Sequence, residues 1–201
     1  MLVIGLTGGI GMGKSTAADI LSSFGLPVYN ADRAVHALLD KGGAAVKLVA
    51  KLFPAALKNG AIDRSVVGSL VFNKPVLLKK LETILHPLVQ RIEREFLKQA
   101  QRDKIAAVVL EIPLLFETGA EKRCDVTICV TAPKAVQKAR VLKRKGMTPE
   151  RFKSIVARQM PDKEKRQRAD FVVKTGVSRA DTKKQLNAIL DHLVCLGSAH
   201  A

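Results

Sequence analysis

The stretch GLTGGIGMGKST, residues 5–16, follows an apolar run and precedes a segment with helical spacing. Gly8, Gly13, Lys14 and Ser15 satisfy G-x-x-x-x-G-K-[ST], and Gly9 and Gly11 add backbone freedom within the loop. Each residue type has a physical task. Glycines let successive N–H groups converge on phosphate oxygens, and the amino end of a helix over residues 15–22 adds its positive pole. Lys14 reaches the β and γ phosphates, and Ser15 ligates Mg²⁺. Ala18, Leu21 and Phe24 then recur as one helix face, so the motif stands in the strand–loop–helix setting that it requires. The stretch predicts an ATP or GTP site.

The rest of the chain supplies a sheet to carry that loop. LVIGLT (2–7), PVYN (27–30), IAAVVLEI (105–112), DVTICV (125–130) and DFVVK (170–174) are continuous rather than alternating apolar runs, as expected of strands covered on both faces. Helical segments lie between most of them, which predicts an α/β doubly wound sheet with ligands at the carboxyl ends of the strands. The gap between the second and third run is too long for one crossover and predicts an inserted helical subdomain. Within it Leu77, Leu81, Ile84 and Leu85, then Leu88, Ile92 and Phe96, keep helical spacing around Pro87, where a break or kink is expected, giving either two helices with Pro87 opening the second or one bent helix. Residues 134–168 form the most basic stretch. Gly146 and Pro149 interrupt it, Thr148 reads as an N-cap, and two helices forming a hinged flap are expected. GSAHA at the carboxyl end reads as a frayed tail.

Composition bounds the function. The 201 residues, 47% hydrophobic and 26% charged, suit one ordinary globular core. A formal net charge of +16 attracts polyanions or phosphate-rich ligands, but the absence of Trp and the single Tyr leave few platforms for stacking bases. Cys124, Cys129 and Cys195 show no C-x-x-C spacing and read as reduced thiols; with no apolar segment of membrane-spanning length, a cytoplasmic protein is expected. The only Asn-Lys pair, Asn73-Lys74, continues as Pro75-Val76 instead of completing the guanine-reading N-K-x-D, and no D-x-x-G is found that could serve as a γ-phosphate switch, which disfavours a GTPase.

Acidic residues at strand ends supply the other half of a transfer site. Asp32, after the second strand, is placed to accept the proton of an attacking hydroxyl or, alternatively, to cap the helix starting at Arg33. Glu111 ends the third strand, where an acid can hold a magnesium-bound water, or simply stand exposed at the terminus. Glu117 beyond it can anchor its loop or meet the acceptor. Among Arg140, Arg144, Arg151 and Arg158 in the basic stretch, Arg140 is best placed to neutralise a transferring phosphoryl group.

Together with GLTGGIGMGKST, the tripeptide Asn30-Ala31-Asp32, LHPLV (85–89), PLLFE (113–117) and RADFVV (168–173) make the chain resemble dephospho-coenzyme A kinases, in family order over nearly its whole length. The resemblance implies a three-layer α/β P-loop kinase fold with a central five-stranded parallel sheet. The core would lie at about 1–35, 104–133 and 169–196, a helical acceptor-binding insertion at about 36–103, and a basic helical lid at about 134–168. It implies phosphorylation of the ribose 3′-hydroxyl of dephospho-CoA by ATP with Mg²⁺. Gly8, Gly11, Met12, Gly13, Lys14, Ser15 and Thr16 would hold ATP, Ser15 and Glu111 the metal, and Asp32, Lys14 and Arg140 would form the catalytic set. ATP and dephospho-CoA are the expected partners, without nucleic acid or membrane, for a monomer or weak homo-oligomer. The alternatives are another small-molecule or nucleotide kinase, or a basic P-loop NTPase acting on nucleic acid. Three positions depart from the family pattern: Asn30 for a first Asp, Met12 for a small Ser, expected to crowd the cradle, and Thr175-Gly176 for an Asp-Asn-containing run.

Overall fold

The computed structural model describes residues 1–72 and 74–198. Asn73 of the Asn-Lys pair and the last three residues of the expected tail lie outside the described residues. The chain divides into two compact units, residues 1–29 with 104–201, and residues 30–103.

The first unit carries the sheet. β1 (Leu2–Thr7) runs into the glycine-rich loop and α1 (Lys14–Ser23), after which β2 (Val28–Asn30) leads out of the unit. On the chain's return come β5 (Ala107–Glu111), β6 (Val126–Thr131), α6 (Lys134–Leu142), α7 (Pro149–Arg158), α8 (Asp162–Arg168), β7 (Phe171–Lys174) and α9 (Arg179–Ser198). All five expected strands form. The sheet order is β2-β5-β1-β6-β7, with parallel pairing of β5 and β6 to either side of β1 and of β7 to β6. Ile4, Leu6, Val108, Val109, Leu110, Ile128 and Val130 are fully buried, which is why these runs carry no alternation. Because the chain changes direction across the sheet at β1, the loop after β1 falls at a switch point, where open α/β sheets bind their ligands.

The basic stretch holds three helices rather than the expected two. Thr148 caps α7, accepting the Arg151 N–H at 3.3 Å, and Pro161 separates α7 from α8. α9 continues to Ser198, so the first two residues of the expected frayed tail are helical.

The second unit contains α2 (Ala31–Leu39), α3 (Val46–Leu52), a hairpin of β3 (Leu57–Lys58) and β4 (Ala61–Ile62), α4 (Arg64–Val71) and α5 (Pro75–Arg102). They enclose their own core of Leu38, Val49, Phe53, Ile62, Val67, Leu81 and Leu85. Of the two arrangements expected around Pro87, two helices or one bent helix, a single helix forms: α5 is one 28-residue helix with Pro87 inside it, and Pro75 is the proline that opens it. Leu81, Leu85, Leu88 and Ile92 on both sides of Pro87 reach the same core. That packing outweighs the backbone hydrogen bond which Pro87 cannot donate. Among the described residues no helix is long and apolar enough to cross a membrane.

Candidate active site

The crown of the phosphate loop is a turn in which Met12 N–H donates to the Gly9 carbonyl at 3.1 Å. Gly11 occupies its third position with φ 73°, and Gly13, with φ 87°, ends the loop as the cap of α1. Both need glycine twice over. A Cβ on Gly11 would come within 2.5 Å of Val141, and one on Gly13 within 2.7 Å of the Thr175 hydroxyl, in addition to the strain of left-handed backbone.

Met12 does not crowd the cradle. Its side chain is buried in the main core, and Sδ accepts the Ala132 N–H at 3.1 Å, so residue 12 presents only backbone to the loop face. Lys14 opens α1, with Nζ 3.9 Å from Glu111 Oε1, and Ser15 follows it, exposed at the helix amino end. Glu111 is buried at the carboxyl end of β5, which overturns the exposed-terminus alternative.

Thr175, at the departure after β7, ties the loop from behind. Its hydroxyl donates to the Met12 carbonyl at 2.7 Å, and its N–H donates to the Thr131 carbonyl at 2.8 Å. Arg140 on α6 donates to the Thr175 carbonyl at 2.7 Å and to its hydroxyl at 3.2 Å. Arg140 is therefore engaged with the loop's support.

Two glutamines that the sequence did not single out also reach the loop. Gln159 Oε1 accepts the Ile10 N–H at 2.9 Å, and Gln137 Nε2 donates to the Ile10 carbonyl at 2.8 Å. Glu117 anchors its loop. It accepts the Met160 N–H at 2.8 Å and pairs with the fully buried Lys165 ammonium, which also donates to the Pro113 carbonyl at 2.9 Å. Thr7, where β1 ends, donates to the same carbonyl. Arg168 pairs with Glu121 at 2.8 Å and lies 4.9 Å above the Phe116 ring, while Asp170 accepts from the Thr127 N–H and hydroxyl. PLLFE and RAD are thus joinery for the rim of the sheet. Cys129 in β6 is buried, and burial pushes its thiol up to about 12, with the Asp162 carboxylate adding to the effect; it stays protonated and is no nucleophile.

In the second unit, α2 starts at Ala31 and its cap is Asn30, whose side-chain carbonyl accepts the Arg33 N–H at 2.7 Å. This overturns the reading of Asp32 as the cap: Asp32 is an exposed first-turn residue of α2. His86 of LHPLV is exposed, whereas Leu85 and Leu88 pack into the helical core. Among the described residues there is no cluster of three His, Cys, Asp or Glu side chains able to hold a metal by themselves. Mg²⁺ does not require one, since beside a nucleotide it keeps phosphate oxygens, water and one or two protein oxygens.

A family model described as dephospho-CoA kinase matches residues 2–181. A dephospho-CoA kinase of Brucella melitensis is 47% identical over 193 residues, 96% of each chain, and one of Paramagnetospirillum magneticum is 52% identical over 166 residues, 83% of this chain and 78% of that one. The structure of a Thermus thermophilus protein superposes with a TM-score of 0.82 at 39% identity, covering 96% of this chain and 97% of that one. Dephospho-CoA kinase from Campylobacter jejuni gives 0.71 at 29%, covering 95% and 96%. With a phosphate loop formed at the sheet's switch point and these relatives matched over most of their length, the chain belongs to the dephospho-CoA kinase family and is an ATP-dependent kinase.

Proposed function

We propose that the chain transfers the γ-phosphoryl group of ATP to the ribose 3′-hydroxyl of dephospho-CoA, giving CoA and ADP, the last step of CoA biosynthesis. The observation that carries the reading is the loop itself, with Lys14 at the head of α1 facing buried Glu111 on the neighbouring strand. Backbone N–H groups from Gly11 to Thr16 hold the phosphates, and Lys14 leaves Glu111 for the β and γ oxygens as charge moves between them. Arg140, tethered to Thr175, brings fixed positive charge behind the loop. Ser15, and Glu111 through water, are the residues that would hold Mg²⁺, which when bound would supply positive charge to offset that of the transferring phosphates.

Asp32 orients the attacking hydroxyl and takes its proton. Support comes from its exposed place in the first turn of α2, where a carboxylate is favoured by the helix dipole and where Asn30 already does the capping. The second unit is read as the acceptor-binding insertion and residues 134–168 as the lid. We read the enzyme as cytoplasmic and as a monomer or weak homo-oligomer.

ADP release from Mg-ATP, measured with dephospho-CoA and beside no acceptor, adenosine, AMP and duplex DNA, tests the reaction. Stimulation by dephospho-CoA alone, with CoA as product, is expected; stimulation by another acceptor or by DNA overturns the acceptor assignment. Asp32→Asn is expected to lower turnover on the order of 10²–10⁴-fold with ATP binding nearly kept. Near-normal turnover removes the role.

A further inference from the structure

Both backbone groups of Ile10 are held from outside the loop, each by a side-chain amide. Gln137 comes from the first turn of α6 and is buried; Gln159 is the residue that closes α7. Ile10 is the second residue of the crown turn, between Gly9 and Gly11, where no neighbouring Cβ restrains the peptide planes. The Gly9–Ile10 plane is fixed by Gln159 through its N–H and the Ile10–Gly11 plane by Gln137 through its carbonyl. The N–H groups that face a phosphate begin directly after these two planes, so their aim depends on both grips. A neutral amide suits the task. It offers one donor and one acceptor, and unlike a carboxylate it does not repel a triphosphate lying against the loop.

The grip of Gln159 is itself set by the sheet. The next N–H, of Met160, is held by Glu117, which the buried Lys165 locks to the loop after β5. α7 has no fully buried residue, and Phe152 and Ile155 are only half-buried, so the grips at its ends add to what decides where it sits. At the amino end are Gly146, with φ 76°, and the Thr148 cap; at the carboxyl end is the Gln159–Met160 pair of grips.

We propose that Gln159 and Gln137 are positioning residues, Gln137 holding Ile10 to α6 and Gln159 registering α7 on the phosphate loop, so that the loop's donors are aimed for transfer only while α7 is seated. The inference rests on the kinase reading and on residues 134–168 acting as the lid. When α7 is unseated, the Ile10 peptide can rotate, the γ-phosphate is less well aligned, and water reaches it.

Gln159→Leu removes the acceptor at similar length, and Gln137→Leu removes the donor. Each variant is expected to keep a near wild-type unfolding midpoint and KM for ATP, and to lose on the order of 10- to 100-fold in kcat. The ratio of ADP formed without acceptor to CoA formed should rise. The double variant should be little worse than the poorer single, because both grips act on one residue. In hydrogen exchange, a peptide containing Ile10 should lose protection in Gln159→Leu. Unchanged kcat and unchanged partition, or effects that multiply in the double variant, overturn the proposal. The exchange arm needs no turnover: a wild-type chain silent towards dephospho-CoA overturns the acceptor assignment, whereas unaltered exchange at Ile10 overturns the clamp.

Discussion

Two lysine–glutamate pairs stand at the carboxyl end of β5, and they use the same residue types in opposite ways. Lys14 and Glu111 are 3.9 Å apart, beyond hydrogen-bond range, and the lysine side chain keeps 13% of its surface exposed. Lys165 and Glu117 are 2.8 Å apart, and the lysine side chain is 0% exposed with the Pro113 carbonyl as a further acceptor. On the proposed reading, the looser contact is the one exchanged for a phosphate. The tighter one cannot be opened without stranding an ammonium group inside the protein. Separation and burial are thus what divide the lysine read here as chemical from the one that belongs to the framework.

The sharpest way to break the comparison is to remove both lysines in turn. Lys14→Ala is expected to lower phosphoryl transfer on the order of 10³-fold or more while the protein still unfolds in one cooperative transition. A fully active Lys14→Ala enzyme would remove the phosphate-loop assignment. Lys165→Met should do the reverse, with a changed unfolding midpoint and kcat lowered only through the displaced Gln159.

Glu117 makes the next largest test, on stability. Glu117→Gln leaves the fully buried Lys165 without its counter-charge and is expected to cost ~3–5 kcal/mol, read by denaturant unfolding. Lys165→Met is expected to cost less, because the Glu117 side chain keeps 18% exposure and its hold on Met160. Equal costs would mean that the pair's worth lies in packing rather than in charge.

The same division explains what the sequence disclosed. The strands were readable because strands buried on both faces must be apolar throughout, and the phosphate loop because its glycines, lysine and serine are bound to fixed spacing. Joinery between distant segments leaves no such mark. Nothing in the spacing of Gln137 and Gln159 points to Ile10, and Lys165 lies in a basic run, DKEKRQR, that reads as solvated surface although its ammonium is buried. The β3–β4 hairpin was missed because two-residue strands have no period to detect. Its turn, Asn59-Gly60, carries positive φ at both residues and was the available signal. At Pro87 the local rule left two helices or one bent helix open, and apolar contacts on both sides decide for a single helix.

Asn30 offers the smallest test and the finest one, since a motif position there holds the wrong residue for a charge-based role. Its side-chain carbonyl accepts the Arg33 N–H at 2.7 Å, and a carboxylate at the same place caps a helix about as well as an amide. Asn30→Asp should therefore change stability by less than ~0.5 kcal/mol, and Asn30→Ala, which leaves that N–H without its cap, should cost ~1 kcal/mol. If residue 30 acts only by placing the first turn of α2, and with it Asp32, then Asn30→Asp leaves kcat within about twofold and Asn30→Ala lowers it modestly without changing its pH profile. A tenfold gain in Asn30→Asp would instead assign the position to chemistry, because the two variants separate charge from capping: only the aspartate adds charge, and only the alanine removes the cap.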